Sequence, residues 1–141
     1  MLILPALLWR EIEERTRLAL PNEACGLLLG KVRGDEIEVA ALSPGRNVSA
    51  DPRAHFQIDP LDVLAAEDAA RGTGLSIVGV WHSHPRGPLL PSQEDRTNDS
   101  GSWVSLIAVP EPHVGIELGC WRTTQAGFEV IGVGQPLGAR R

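Results

Sequence analysis

Lysine is nearly absent from this chain, with Lys31 its only example, and the basic residues are otherwise scattered arginines. With a net charge of −5 and no basic patch, the chain does not read as a general nucleic-acid binder. Long hydrophobic runs are also missing. Met1 to Trp9 is apolar but too short to span a bilayer, has no positive start or small-residue cleavage site, and runs straight into Arg10 and Glu11. No membrane partner is expected, and the cytoplasm is the expected location. There are only two cysteines, Cys25 and Cys120, and no Cys-x-x-Cys pair. In a reducing compartment they read as two small buried hydrophobes, with no disulfide expected between them. Internal repeats and low-complexity linkers are lacking as well. The 141 residues, 43% of them hydrophobic and 22% charged, suit one domain with one core over 1–141.

The hydrophobic pattern divides the chain into alternating elements. Pro5 to Leu20 has a helical face of Leu8, Ile12 and Ala19, with Glu11–Arg15 and Glu13–Arg17 four apart. Ala24 to Leu29 and Glu36 to Leu42 read as strands joined by a Gly34-Asp35 turn. Ser43 to Arg53 reads as a loop, and His55 to Ile58 as a short strand. Asp59 caps a helix that begins at Pro60 and stops at Gly72 or Gly74. Leu75 to His82 is the clearest strand, apolar on both faces. A third helix is expected from Ser92 to about Asn98. Strands at Trp103 to Val109, Gly115 to Trp121 and Phe128 to Val133 follow, then a frayed tail over 134–141. The expected class is α/β or α+β, with mostly antiparallel pairing towards the C-terminus.

The chemistry concentrates in His82-Ser83-His84-Pro85 and Pro91-Ser92-Gln93-Glu94-Asp95. Alternation along a strand points His82 and His84 the same way and Ser83 the other. Pro85 ends the strand, and Asp95, in the first turn of the next helix, can face the imidazoles. Two imidazoles and a carboxylate can hold one borderline metal ion and leave a fourth position for water. Singly, each piece has a bland account: a His-x-His at a strand end is often solvated, and Ser92-x-x-Asp95 resembles a capping box. Their conjunction across a proline-bounded loop favours the metal. A hydrolytic site also needs a base, and Glu23 is a candidate at a helix–strand junction, where a carboxylate beside an apolar strand is costly. From spacing alone, a surface glutamate accounts for it equally well. His55 and His113 read as loop or strand-end residues, and Trp81 and Trp103 as core.

Together, Glu23, His82-x-His84-Pro85 and Pro91-Ser92-x-x-Asp95 resemble the signature of the JAMM metalloproteases, the active MPN-domain family, and Glu23 to Gly30 resembles the first strand of its prokaryotic members. The resemblance covers nearly the whole chain. It implies the cytidine-deaminase-like fold, a curved sheet flanked by helices. It also implies one zinc ion held by His82, His84 and Asp95, with Glu23 as general acid/base and Ser92 helping to hold the oxyanion. The implied activity is hydrolysis of an amide or isopeptide bond after the C-terminal Gly-Gly of a ubiquitin-like sulfur-carrier protein or its conjugate. The loops Ser43 to Arg53 and Arg86 to Leu90 are the expected substrate contacts, and a homodimer is left open. Two rivals stay in view, a peptidoglycan-type peptidase on the same fold and a non-catalytic MPN scaffold. A nucleobase deaminase is disfavoured because Cys25 and Cys120 cannot form its Pro-Cys-x-x-Cys pair.

Overall fold

A computed structural model describes residues 1–92, 103–113 and 115–136. Its elements are β1 (Leu2–Ile3), α1 (Ala6–Ala19), β2 (Cys25–Arg33), β3 (Glu36–Gly45), α2 (Pro60–Thr73), β4 (Ser76–Ser83), β5 (Val104–Pro110), β6 (Ile116–Thr124), β7 (Gly127–Ile131) and β8 (Val133–Gly134). Among the described residues, eight strands join one mixed sheet in the order β7-β6-β5-β4-β2-β3-β1-β8. Its two edges, β7 and β8, are separated in the chain by Gly132 alone, so the sheet has to curl back towards itself. Pairing is antiparallel for β2 with β3 and β4, and for β6 with β5 and β7. It is parallel for β4–β5, β1–β3 and β1–β8.

The helices form where their sequences call for them. In α1, Ile12 and Thr16 are buried, and Glu11–Arg15 and Glu13–Arg17 pair at 3.6 and 3.4 Å on the exposed side. Pro21 follows and cannot continue the helix. In α2, Asp59 Oδ1 accepts the Leu61 N–H at 2.9 Å, Pro60 occupies the first turn, and Gly74 closes the helix at φ 71°, a left-handed conformation that glycine adopts without strain.

Adjacent residues of β2 face opposite cores. Leu28 enters a large cluster with Leu2, Leu4, Ile12 of α1, Val39, Trp81 and Leu106. Leu27 and Leu29 enter a smaller one with Ala66 and Ala70 of α2. Gly26 is required by the first cluster, because a Cβ there would run into the Trp81 indole and the Ser43 carbonyl.

Several expected boundaries shift. The tail does not begin to fray at residue 134. Val133 and Gly134 form β8, and Leu4 N–H donates to Gly134 O at 2.8 Å; residues 137–141 lie outside the described ones. The expected loop from Ser43 starts later, since Ser43, Pro44 and Gly45 remain paired with Leu27, Gly26 and Cys25. Pro44 is tolerated because β1 covers β3 only at Ile37 and Glu38, leaving that stretch of β3 at an edge. His55 to Ile58 makes only a bridge between Asn47 and Ile58. The expected helix from Ser92 to Asn98 lies outside the described residues beyond Ser92.

Candidate metal centre

The site lies where β4 ends on the α2 face of the sheet. Cys25 pairs with His82 across β2–β4, and Glu23 is carried in by the turn between α1 and β2. His82 and His84 point to the same side as expected, with Nε2 atoms 3.1 Å apart. Ligand atoms of Glu23, His82 and His84 all lie within 4.8 Å of one another, and the three residues are 6%, 0% and 8% exposed.

His84 is fixed from three directions. Its N–H donates to Ala108 O at 2.9 Å, its carbonyl accepts from the Gly87 N–H at 3.0 Å, and its ring Nδ1 lies 2.9 Å from Pro88 O. A carbonyl only accepts, so Nδ1 is the donor, and in the neutral ring Nε2 then carries the lone pair that faces the site. This is the orientation in which a metal-ligating imidazole is usually held by an outer partner. His82 is held differently, stacked on Phe56 with centroids 4.3 Å apart and planes 17° from parallel.

The donor set fits a divalent cation. Two nitrogens on one tetrahedral ion, each at about 2.0–2.1 Å, stand roughly 3.3 Å apart, close to the observed 3.1 Å. A cation held by the two imidazoles would also favour the charged form of the Glu23 carboxylate buried beside them. Asp95, the third ligand expected from the sequence, lies outside the described residues. The carboxylate found next to the imidazoles is that of Glu23. Ser92 is exposed and lines a cleft of about 650 Å³ together with Glu23, His84, Arg53, Pro88 and Leu90. Both expected contact loops thus reach the cleft, the first through Arg53 and the second through Arg86 and its neighbours.

Neither cysteine is fit for nucleophilic work. Burial, reinforced by the Asp62 and Glu23 carboxylates, pushes the Cys25 thiol up to about 12. Burial does the same for Cys120, also to about 12. Both thiols are free. His55 lies 3.9 Å from Asp51 and His113 is exposed. Trp81 is core, and Trp103 packs against the smaller cluster. Sequence reasoning missed Phe56, Pro88 and Asn47. The only local sign of Asn47 is the Asn-x-Ser spacing of an Asx turn, in which its Oδ1 accepts the Ser49 N–H at 3.1 Å.

Two histidines and a glutamate converge at the end of a central strand, beside a cleft, and form a candidate metal site in a mixed α/β protein. Residues 5–123 match the family described as prokaryotic homologs of the JAB domain, and the chain belongs to that family. It is 37% identical over 94 residues to the Desampylase of Haloferax volcanii, covering 64% of this chain and 65% of that protein. It is 39% identical over 90 residues to the "Probable TtuB-protein conjugate cleaving protease" of Thermus thermophilus, covering 61% and 57%. The chain therefore matches less than two thirds of the length of either relative. A solution structure of a Desulfitobacterium hafniense protein superposes with a TM-score of 0.85 at 32% identity, covering 99% of this chain and 97% of that one. No described helix is long and apolar enough to cross a membrane.

Proposed function

We propose that this chain is a zinc metallopeptidase that hydrolyses the amide or isopeptide bond following the C-terminal Gly-Gly of a ubiquitin-like sulfur-carrier protein. The observation that carries this reading is the facing His82–His84 pair with Glu23 beside it at the mouth of a cleft. The relatives named Desampylase and "Probable TtuB-protein conjugate cleaving protease" support it.

In this reading His82, His84 and Asp95 hold one zinc ion. When bound, zinc supplies a Lewis acid and brings the pKa of water towards neutrality. His84 presents its Nε2 lone pair because Pro88 O holds its Nδ1 proton. Glu23 is the general acid/base: its carboxylate takes a proton from the attacking water and returns it to the leaving amine. The Ser92 hydroxyl donates a hydrogen bond to the oxygen on which charge develops. The walls of the cleft include Pro21, Pro85, Pro88 and Pro91, a stiff surface along which a side-chain-free Gly-Gly tail can pass. The whole chain works as one domain in the cytoplasm.

The test is incubation of zinc-loaded protein with sulfur-carrier fusions extended beyond Gly-Gly, with and without chelator. Cleavage directly after the second glycine, stopped by chelator and restored by zinc, is the expected result. Cleavage elsewhere, or cleavage indifferent to chelator, would overturn the reading.

A further inference from the structure

The peptide group joining Glu23 to Ala24 is held at both poles by side chains. Its carbonyl, Glu23 O, accepts from Asn47 Nδ2 at 3.0 Å. Its N–H, on Ala24, donates to Ser83 Oγ at 2.8 Å, in a buried setting. The preceding Glu23 N–H donates to Pro52 O at 2.7 Å, and Ser83 N–H returns to Ala24 O at 3.0 Å. Ser83 is wholly buried and lies between the two histidines on the opposite face of β4.

Asn47 is fully committed. Its two amide hydrogens go to Glu23 O and to His55 O, both at 3.0 Å. Its oxygen accepts from the N–H groups of Ser49 and Gln57, both at 3.1 Å. Nδ2 also reaches Pro52 O at 3.5 Å, and five partners of fixed polarity leave no freedom to exchange the oxygen and nitrogen of this amide. The same side chain therefore ties together Glu23, the Pro52 stretch that holds Glu23 N–H, and the His55–Phe56 segment whose ring stacks on His82.

Resting on the proposed acid/base role of Glu23, we propose that Asn47 and Ser83 are positioning residues that clamp the Glu23–Ala24 peptide and so set the Glu23 carboxylate against the imidazole pair. A side chain at the end of a free turn would swing with its φ and ψ angles. Fixing both poles of the following peptide and the preceding N–H removes that freedom. Neither residue touches a reacting atom, so their effect falls on turnover and leaves substrate capture and the zinc stoichiometry of the loaded protein unchanged. Because they hold one peptide, losing both does little more harm than losing the more important one.

The test uses the full chain with Ser83→Ala, Asn47→Ala and the double variant. In the metal-free protein, hydrogen exchange at the Ala24 amide is expected to accelerate about tenfold in Ser83→Ala, with the Leu27 and Leu28 amides unchanged. In the zinc-loaded protein, kcat is expected to fall about 10–100-fold in each single variant, with KM and zinc per chain as in the unmodified chain and the double variant close to the worse single one. Unchanged Ala24 exchange overturns the clamp. So does unchanged kcat, or a loss explained by KM or zinc content. If Ser83→Ala does not fold, Asn47→Ala decides through kcat against KM. If the unmodified chain cleaves nothing, the functional reading fails, while the exchange measurement still decides the clamp.

Discussion

The two faces of the sheet differ in what they are built to do. On the α1 side, Leu2, Leu4, Ile12, Leu28, Trp81 and Leu106 are buried in one continuous apolar mass. On the α2 side, the buried cluster among the described residues is the smaller set Leu27, Leu29, Ala66 and Ala70, and the same face at the end of β4 is given to Glu23, His82 and His84. The larger apolar cluster lies on one side of β2 and β4 and the candidate metal site on the other. A strand such as β4 can then present two imidazoles accurately, because its other face is anchored by Trp81.

The largest effect that sharpens this contrast is Glu23→Gln. It is expected to lower kcat about 10²–10⁴-fold, the usual worth of a general acid/base, while thermal unfolding and zinc content stay near those of the unmodified chain. Steady-state kinetics together with melting curves check this, and near-normal turnover removes Glu23 from the mechanism.

Next comes a pair of neighbours on opposite faces. Leu28→Ala is expected to cost about 4–5 kcal/mol in denaturant unfolding and Leu27→Ala about 2–3 kcal/mol, since cavity cost depends on how far the surroundings collapse and the α2 side has less packed around it. An equal or reversed order would break the comparison. Smaller again is Phe56→Ala. Loss of the ring stacked on His82 is worth about 0.5–1.5 kcal/mol, so zinc affinity measured by competition with a chelator should weaken roughly 2–10-fold with little change in stability. Last, Cys25 and Cys120 have thiols at about 12, which leaves roughly one in ten thousand ionised at pH 8. Neither should react with an alkylating reagent in the folded chain, and both should react once it is denatured, as mass spectrometry would record.

Much of this layout is legible in the sequence alone. The apolar run from Leu75 to His82 announced a central strand, and alternation placed His82 and His84 on one side of it. Asp59-Pro60 and Gly74 marked the ends of α2 through local capping chemistry. What was not legible depends on contacts distant in sequence. Two-residue strands such as β1 and β8 carry no periodicity, and they exist only because Leu2 finds Ile37 on one side and Val133 on the other. Pro44 and Gly45 look like loop residues locally, yet pairing with Gly26 and Cys25 keeps them in β3. At the site, the signature named Glu23, His82 and His84, which the structure brings together, but nothing local told that Pro88 would lie against His84, that Phe56 would stack on His82, or that Asn47 would reach Glu23.

The most direct measurement is metal content: zinc per chain after exhaustive dialysis, for the unmodified protein, Glu23→Gln and His84→Ala. One zinc in the first two and none in the third is what the arrangement of these side chains predicts. An unmodified chain that binds no zinc, or a His84→Ala variant that binds it as well, would contradict a metal centre built on the paired imidazoles.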